Sequence, residues 1–245
     1  MCGDPAWREP ASDGEPADLT QSGGWRMRNT VRFEVTAAET DPAARRLTTA
    51  AAVAATMEDS VDQATLEAYI DEVSAKAAVH CRLAKDGINP PTFAEEECRA
   101  TFYVASCHRG ERLILPWRVG ITIDSVTENG VALVAGTDFD LLAGGILLRL
   151  CSDAPACWSQ AKIVVDYTAG WTLPTGAPAD LQAAIAEQVK YRTMLIDVNP
   201  SIRQEAEPDV YSAQYNVPGG DSIDDTGLLV QVVRALGEYR SPIPL

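Results

Sequence analysis

The apolar side chains of this chain change their repeat twice along its length. Between residues 98 and 167 they recur at every second position, as in half-buried strands, and on either side they recur at every third or fourth position. Short "ENG" and "AGG" segments separate the alternating runs and tolerate the positive φ of tight hairpins. The pattern predicts six or seven short strands in a small antiparallel sheet, sandwich or barrel. The candidate strands span residues 99–105, 111–117, 120–128, 131–136, 139–142, 145–150 and 161–167.

Helical patterns flank this block on both sides. The runs at 47–57 and 60–83 precede it, and those at 178–197 and 226–240 follow it. Neither helical half can bury its apolar stripe alone, so we expect the two halves to close on each other. The sequence therefore predicts an α+β fold, an antiparallel helical bundle with an inserted small antiparallel β-subdomain. We expect a flexible N-terminal arm at 1–45, a bundle from 46–86 and 178–240, an insert at 98–172 and a tail at 241–245.

The junction between the last strand and the next helix carries a distinctive "DYTAGW" stretch. The strand ends near Tyr167, Gly170 permits a sharp turn, and Trp171 is bulky enough to wedge between sheet and helix. We predict that Tyr167, Gly170 and Trp171 form the structural junction where the β-subdomain joins the bundle.

Charge and hydropathy exclude several classes of partner. The 245-residue chain has 35 acidic against 20 basic residues, a formal net charge of −15, which opposes binding to nucleic acid or to an anionic membrane surface. No apolar run approaches the roughly 20 residues that cross a bilayer, and the N-terminus has no apolar signal segment. We expect a protein made in the cytoplasm. An acidic segment that suits a conduit for passing DNA contains Glu205, Glu207, Asp209, Asp221, Asp224 and Asp225.

No motif for catalysis or metal binding stands out. The two histidines, His80 and His108, each adjoin a cysteine, but neighbouring residues on a helix or strand point apart. No two of the six cysteines have the spacing of a zinc ligand pair. Cys151 and Cys157 can close a small loop as a disulfide under oxidising conditions, and the competing interpretation is that the cysteines are ordinary buried or half-buried thiols. The "AEEEC" run at 94–98 is interpreted as a solvated charge run. We expect no enzyme, no catalytic residue, no metal and no cofactor.

The order of motifs resembles a known family, the phage head–tail connector proteins. These are also called head-completion or adaptor proteins, and they occur in long-tailed phages and gene transfer agents. The resemblance covers about residues 46–242, and "YTAGW" followed by "PADLQAAI" is its most specific part. The other matching stretches are "LTTAAA", "DQATLEAYIDEVSAKAAVHCRL", "LILPWRVGITIDSVTENGVALVAGTDFDLL", "DVYSAQY" and "LLVQVVRALGEYRSP". The N-terminal arm, the "CSDAPAC" loop and the acidic "PGGDSIDDTG" segment lie outside the shared pattern.

The resemblance implies a structural protein of the virion, located at the head–tail junction and made in the host cytoplasm. It implies a ring of twelve copies beneath the portal protein, joined on its other side to a tail or stopper (neck) protein. DNA would pass through the lumen without specific binding. Portal docking falls to the C-terminal helix and tail, at Leu229, Val233, Leu236, Tyr239 and Arg240. The acidic segment would face the lumen or a neighbouring subunit.

A second interpretation belongs to another class of protein. Trp117, Trp158 and Tyr103 lie in or beside candidate strands, and exposed aromatic rings on a sheet bind sugars or peptides. The chain would then be a β-rich carbohydrate- or peptide-binding module on a helical stalk. The competing interpretation of these rings is that they pack at the seam between sheet and helices.

Overall fold

A computed structural model describes residues 30–57, 60–104, 112–159, 162–194, 204–207, 211–214 and 227–241, with Thr30 and the 204–214 strands described by their backbone alone. Its strands, in chain order, are β1 Thr30–Ala37, β2 Glu96–Tyr103, β3 Arg112–Ile114, β4 Thr122–Glu128, β5 Val131–Ala132, β6 Phe139–Leu142, β7 Ile146–Cys151, β8 Ala154–Pro155, β9 Lys162–Ala169, β10 Gln204–Glu207 and β11 Tyr211–Gln214. Its helices are α1 Ala50–Ala54, α2 Gln63–His80, α3 Ala179–Met194 and α4 Val230–Leu236, with 3-10 turns at Ala43–Arg45 and Gly237–Tyr239.

The larger sheet has five strands in the order β1-β2-β9-β4-β5, all antiparallel to their neighbours. Strand β9 lies at its centre. Its sequence alternates with period two, so that Ile163, Val165, Tyr167 and Ala169 are buried on one face, while the residues between them are not buried. The most N-terminal described strand, β1, pairs with β2 from Thr30↔Tyr103 to Ala37↔Glu97. Part of the predicted 1–45 arm is therefore an edge strand.

A second sheet of four strands packs on the first. Strands β3, β7 and β6 lie side by side, and β8 pairs with the end of β7. Leu113, Phe139 and Leu147 of this sheet share one buried cluster with Phe102 and Val165 of the larger sheet. Trp158 is also fully buried in that cluster. The two sheets thus form a sandwich with an apolar core between them.

The helices form a second apolar cluster beside the sandwich. Helix α2 begins after Asp62, whose carboxylate accepts a hydrogen bond from the amide of Thr65, and it buries the predicted stripe that includes Leu66, Ile70 and Val73. It packs against α3 and α4, which follow the sandwich in the chain. Apolar residues from the sheet ends complete this cluster; they are Phe93, Ala94, Val119 and Leu173.

The predicted fold class, a helical bundle with an inserted β-subdomain, is wrong. Strands dominate the described residues, where they form two antiparallel sheets, and of the four α-helices there α1 has five residues and α4 has seven. Helices this short cannot form a bundle by themselves. They pack instead on α2, on α3 and on the ends of the strands, because these surfaces supply the apolar area that the short helices lack.

Candidate functional site

Three chain segments meet beside Gly170, at the point where the larger sheet touches the helices. The amide of Gly170 donates to the carbonyl of Val119 over 2.7 Å. Next to it, the amide of Trp171 donates to the carbonyl of Phe93 over 2.8 Å, and the amide of Glu95 donates to the carbonyl of Trp171 over 3.0 Å. These backbone bonds hold the segments before β2, before β4 and after β9 together, and we call this place the junction.

Glycine is required at the centre of the junction. Gly170 has φ of +116°, and a Cβ built on it would lie 2.1 Å from the carbonyl oxygen of Ala94. Gly120 faces it with φ of +62°, and a Cβ there would lie 2.7 Å from the oxygen of Gly170. Both positions combine a left-handed backbone with a contact that leaves no room for a side chain.

Aromatic rings fill the helical side of the junction. The indole of Trp171 stacks on Phe93, with ring centroids 5.6 Å apart and 2° between the planes. Tyr239, from the 3-10 turn after α4, meets the same indole edge to face at 5.6 Å and 88°. One tryptophan thus contacts a residue that precedes β2 and a residue near the end of the chain.

Three sets of hydrogen bonds hold the C-terminal turn at the junction. The hydroxyl of Tyr239 is 3.0 Å from each carboxylate oxygen of Asp180, and its carbonyl accepts from the indole nitrogen of Trp117 over 3.1 Å. The amide of Ser241 donates to the carbonyl of Cys81 over 3.0 Å. Burial, followed by the Asp180 carboxylate, raises the pKa of Tyr239 to about 12. The last described residues are therefore tied to α2, to α3 and to the segment before β4.

A buried ion pair lies between the junction and the core of the sandwich. The guanidinium of Arg118 donates to the carboxylate of Glu96, and both side chains are enclosed. Glu96 also accepts from the amide of Glu39 over 3.0 Å, and Arg118 lies over the ring of Phe33 at 5.6 Å. The Nε and Nη2 atoms of Arg118 have no hydrogen-bond partner among the described residues.

Desolvation suppresses the ionisation of two groups in the core of the sandwich, the Cys98 thiol and the Tyr167 hydroxyl. Burial raises the pKa of the Cys98 thiol to about 11, and it raises the pKa of Tyr167 well above the ordinary value for tyrosine. Tyr167 instead donates its hydroxyl proton to the carbonyl of Pro116 over 3.3 Å. Both groups therefore stay neutral and act as hydrogen-bond donors to their neighbours. Their role is to hold the chain segments in place.

The structure brings together the three predicted junction residues. Tyr167 is buried in the core of the sandwich, Gly170 forms the close backbone contact and Trp171 lies against the helical cluster. The indole of Trp117 is half-buried there as well. Sequence reasoning missed Phe93, Gly120 and the Arg118–Glu96 pair.

A signal for Glu96 was present in the sequence. The "AEEEC" run was expected to be solvated, and Glu95 and Glu97 are exposed, but Glu96 is buried. Glu96 lies two residues before the buried Cys98 and four before the buried Ala100, so the three side chains share one face of the strand. Period-two alternation therefore singles out the middle glutamate as the residue that needs a buried cation.

The predicted portal-docking residues do not share one exposed surface. Leu229 and Leu236 are buried in the helical cluster, Val233 and Tyr239 are half-buried, and Arg240 is exposed. The amide of Leu229 donates to the side-chain oxygen of Gln188 over 2.7 Å. The apolar stripe of the last helix therefore packs on the chain's own α2 and α3.

Two of the six residues of the predicted acidic segment lie within the described part of the chain. Glu205 and Glu207 lie on β10, which pairs with β11 from Gln204↔Gln214 to Glu207↔Tyr211, and their side chains are outside the description. The other four acidic residues, which are Asp209, Asp221, Asp224 and Asp225, lie outside the described residues.

The predicted aromatic binding surface is not assembled. Trp158 is fully buried between the sheets, Trp117 bonds to the C-terminal turn, and only Tyr103 of the three is exposed. The competing interpretation, that these rings pack at the seam between sheet and helices, holds for Trp117, whereas Trp158 packs between the two sheets.

The suggested disulfide between Cys151 and Cys157 is not formed. Cys151 is disulfide-bonded, but Cys157 is a free, half-buried thiol, so the bond joins Cys151 to another cysteine.

Across the described ranges, no cluster of three or more His, Cys, Asp or Glu side chains is arranged to hold a metal ion. No helix in the part of the chain that the structure describes is long and apolar enough to cross a membrane.

Comparison with known proteins gives matches to solved structures only, since no family model and no curated protein matches the chain. The chain is similar to a component of the neck of an empty gene transfer agent particle computed with C6 symmetry, at 13% identity and a TM-score of 0.47. It is similar to a component of the neck of the native particle computed with C12 symmetry, at 14% identity and a TM-score of 0.47. Each match covers 87% of this chain and 97% of the other.

Proposed function

We propose that this chain is a structural protein of a virion neck, a head–tail adaptor that joins the portal to the tail. In this role copies of the chain form a ring, twelve in number, that extends the DNA exit channel between the portal and a tail or stopper protein. The protein is made in the host cytoplasm and acts without catalysis or a cofactor.

The observation that carries the proposal is the position of the "YTAGW" motif, the most specific part of the resemblance to head–tail connector proteins. Its Gly170 and Trp171 lie where the sandwich, the helices and the C-terminal turn are bonded together. Asp180, from the adjoining "PADLQAAI" motif, binds the hydroxyl of Tyr239. The residues that define the resemblance are thus the residues that fix the sandwich and the helices relative to each other.

A fixed joint of this kind suits a ring subunit. Each copy in a closed ring must present its contact surfaces at the same angle, so a rotation between sandwich and helices would misalign every interface. Backbone hydrogen bonds around two side-chain-free positions, with stacked rings beside them, hold that angle more firmly than a flexible linker does.

Portal docking then falls to the exposed part of the C-terminal segment. Leu229 and Leu236 hold the segment on its own core, whereas Arg240 is exposed after the 3-10 turn. The tail "PIPL" follows directly after Ser241, which is bonded to Cys81. We assign docking to Arg240 and this tail, with Val233 and Tyr239 as its half-buried support.

The acidic segment retains its proposed place at the lumen or at a neighbouring subunit. Its six carboxylates would repel the phosphates of passing DNA and so let the duplex move without sticking.

The test is to produce particles without this chain. Adaptor function predicts DNA-filled heads that carry no tails when viewed by electron microscopy, and supplying the chain in trans restores tails. Normally tailed particles in its absence would refute the proposal.

A charge reversal tests the docking surface more narrowly. Arg240→Glu is expected to leave the fold intact and to lower the fraction of tailed particles at least about tenfold, because it removes a cation from the docking end. Lys85→Glu is the matched control, since Lys85 is exposed and makes no ion pair among the described residues. Equal tailing by the two variants would remove Arg240 from the interface.

A further inference from the structure

The smaller sheet carries aliphatic side chains on the face that points away from the core of the sandwich. Leu147 is buried in that core, so its neighbours on β7, Ile146 and Leu148, point to the opposite face. The pairing register places Ile114 of β3 and Leu142 of β6 on either side of Ile146. Directly paired residues point to the same face of a sheet. We call this the outer face, and the residues that point to it are Arg112, Ile114, Asp140, Leu142, Ile146, Leu148 and Leu150.

The five aliphatic side chains of the outer face lie outside the apolar core. They belong to neither of the two apolar clusters of the described residues. Ile114 is 43% exposed, and the other four are half-buried. A contiguous apolar patch on a surface marks a contact site, because association removes the patch from water. The outer face is therefore a candidate surface for binding another molecule.

One charge of each sign lies on the outer face, on opposite sides of Leu148. The register pairs Leu148 with Arg112 on β3 and with Asp140 on β6. Both charged side chains are exposed, and neither makes an ion pair among the described residues. Because the two charges flank one central residue, a two-fold axis parallel to β7 brings the arginine of each copy opposite the aspartate of the other. The outer face is thus complementary to itself.

The same row of residues disfavours the other two-fold arrangement of two such faces. An axis that runs across the strands, along the row, would place Arg112 on Arg112 and Asp140 on Asp140, and like charges repel. The axis parallel to β7 instead places Leu148 on Leu148 and Ile114 on Leu142. Two sheets pack face to face about 10 Å apart, and a long arginine opposite a short aspartate fits that gap. The charges and the aliphatic side chains therefore favour one arrangement.

We propose that the free chain forms a two-fold pair through the outer face of its smaller sheet. The occupant is a second copy of this chain, since the face matches itself in charge and is apolar between the charges. Arg112 and Asp140 form two ion pairs between the copies, and Leu148 is removed from water at the centre. An isologous contact closes with two copies. The pair goes beyond the proposed function: it belongs to the unassembled chain, and the proposed ring uses other surfaces.

The size of the outer face sets the strength of the pair. Three strands about 4.8 Å apart, of which β7 is the longest with six residues, offer on the order of 300 Å². A stable contact between proteins buries about 800 Å² on each partner. The pair is therefore weak and reversible, with an expected Kd on the order of 100 μM. Such pairing covers the apolar face of the free chain and still releases single copies for assembly.

Sedimentation equilibrium of the full-length chain tests the pair, at concentrations from about 5 μM to 1 mM that bracket the expected Kd. The unmodified chain is expected to pass from monomer to dimer and to form nothing larger. Leu148→Asp is expected to weaken pairing at least about tenfold, because two carboxylates would then meet at the centre of the contact. Val131→Asp is the matched control, since Val131 is 65% exposed but lies on the larger sheet. It is expected to pair like the unmodified chain.

Exchanged charges test the two ion pairs. Arg112→Asp and Asp140→Arg each place like charges opposite each other, and each is expected to weaken pairing at least about fivefold. An equimolar mixture of these two variants restores opposite charges between unlike copies, so it is expected to pair more strongly than either variant alone. The double variant with both substitutions is expected to pair like the unmodified chain. A mixture and a double variant that pair no better than the single variants would overturn the proposal.

Three further results would overturn the pair. These are a chain that stays monomeric up to about 1 mM, growth beyond dimers, and equal pairing by Leu148→Asp and Val131→Asp. Circular dichroism checks folding, and if Leu148→Asp does not fold, the charge variants at the exposed positions 112 and 140 decide. The adaptor function is tested separately: a monomeric chain that is still required for tails refutes the pair alone.

Discussion

Trp171 stacks flat on Phe93, with their ring centroids 5.6 Å apart and their planes within 2°. The two residues belong to segments separated by most of the sandwich sequence, one directly before β2 and one directly after β9. Backbone hydrogen bonds between the same segments reinforce the stack, and Tyr239 closes it from the C-terminal side. The sandwich is thereby anchored to the helices where the chain enters β2 and where it leaves β9.

Replacing the indole tests this anchor. Trp171→Ala is expected to lower the free energy of unfolding by about 2 kcal/mol, less than for a fully buried tryptophan because the ring is half-buried. Trp171→Phe, which keeps a ring on Phe93, is expected to lose about half as much. Urea denaturation measures both. A loss within about 0.5 kcal/mol for the alanine variant would show that the ring contributes no packing.

Gly170 and Gly130 both have positive φ, but only Gly170 has backbone atoms where a Cβ would lie. Gly170→Ala is expected to cost about 3 kcal/mol or more, because its Cβ would collide with the backbone of Ala94. Gly130→Ala is the control: Gly130 also has positive φ, at +79°, but nothing lies within 4 Å of its built Cβ. Backbone strain alone there costs about 1–2 kcal/mol. Equal losses in thermal or urea unfolding would show that the close approach at Gly170 is absent.

The Arg118–Glu96 pair predicts strong non-additivity. Arg118→Met leaves the Glu96 carboxylate buried without its cation and is expected to cost about 3–5 kcal/mol. Adding Glu96→Gln removes the stranded charge while the amide oxygen still accepts from Glu39, so the double variant is expected to recover most of the loss. A double-mutant cycle by denaturation measures the coupling. Additive losses would mean that the two charges do not interact in the buried state.

Asp86 predicts a loss of stability in acid. Burial favours its protonated form, but hydrogen bonds from the amides of Asn89 and Ile88 and from the Asn89 side chain outweigh this and lower the pKa from 3.8 to about 2. A lowered folded-state pKa contributes stability that is present above pH 3.8 and is lost as pH falls to about 2. The contribution is expected to be under about 1 kcal/mol, since solvent screens this group.

Acid denaturation of Asp86→Asn checks that contribution. The stability gap between the unmodified chain and this variant is expected to shrink as pH falls from about 4 to 2. Asp153→Asn is the control, because the Asp153 carboxylate is exposed and makes no hydrogen bond among the described residues. A gap that stays constant with pH would contradict the role assigned to Asp86.

The strand positions were predictable because hairpins are local. The alternating runs at 120–128, 139–142 and 145–150 and the turn residues between them gave β4, β6 and β7 within two residues of their observed bounds. Alternation does not tell which strands share a sheet, so the division into two sheets and the docking of β1 beside β2 depended on long-range packing.

The fold class was not predictable from the helical stripes. An apolar stripe predicts that one face of a helix is buried but does not indicate which surface covers that face. The stripe of the last helix was therefore compatible with a helical bundle and with a docking surface. In the structure Leu236 faces the chain's own α2 and α3, and the ends of the strands cover the rest of the helical cluster. The glycine and tryptophan in "AGW" lie where the larger sheet meets the helices, and their steric demands leave few alternatives at a strand end.

A reconstruction of the particle neck by electron cryomicroscopy tests the adaptor role most directly. The account predicts a ring of this chain between portal and tail, with the C-terminal segment toward the portal. Density for the chain in the capsid shell or the tail tube, or its absence from the particle, would contradict the account.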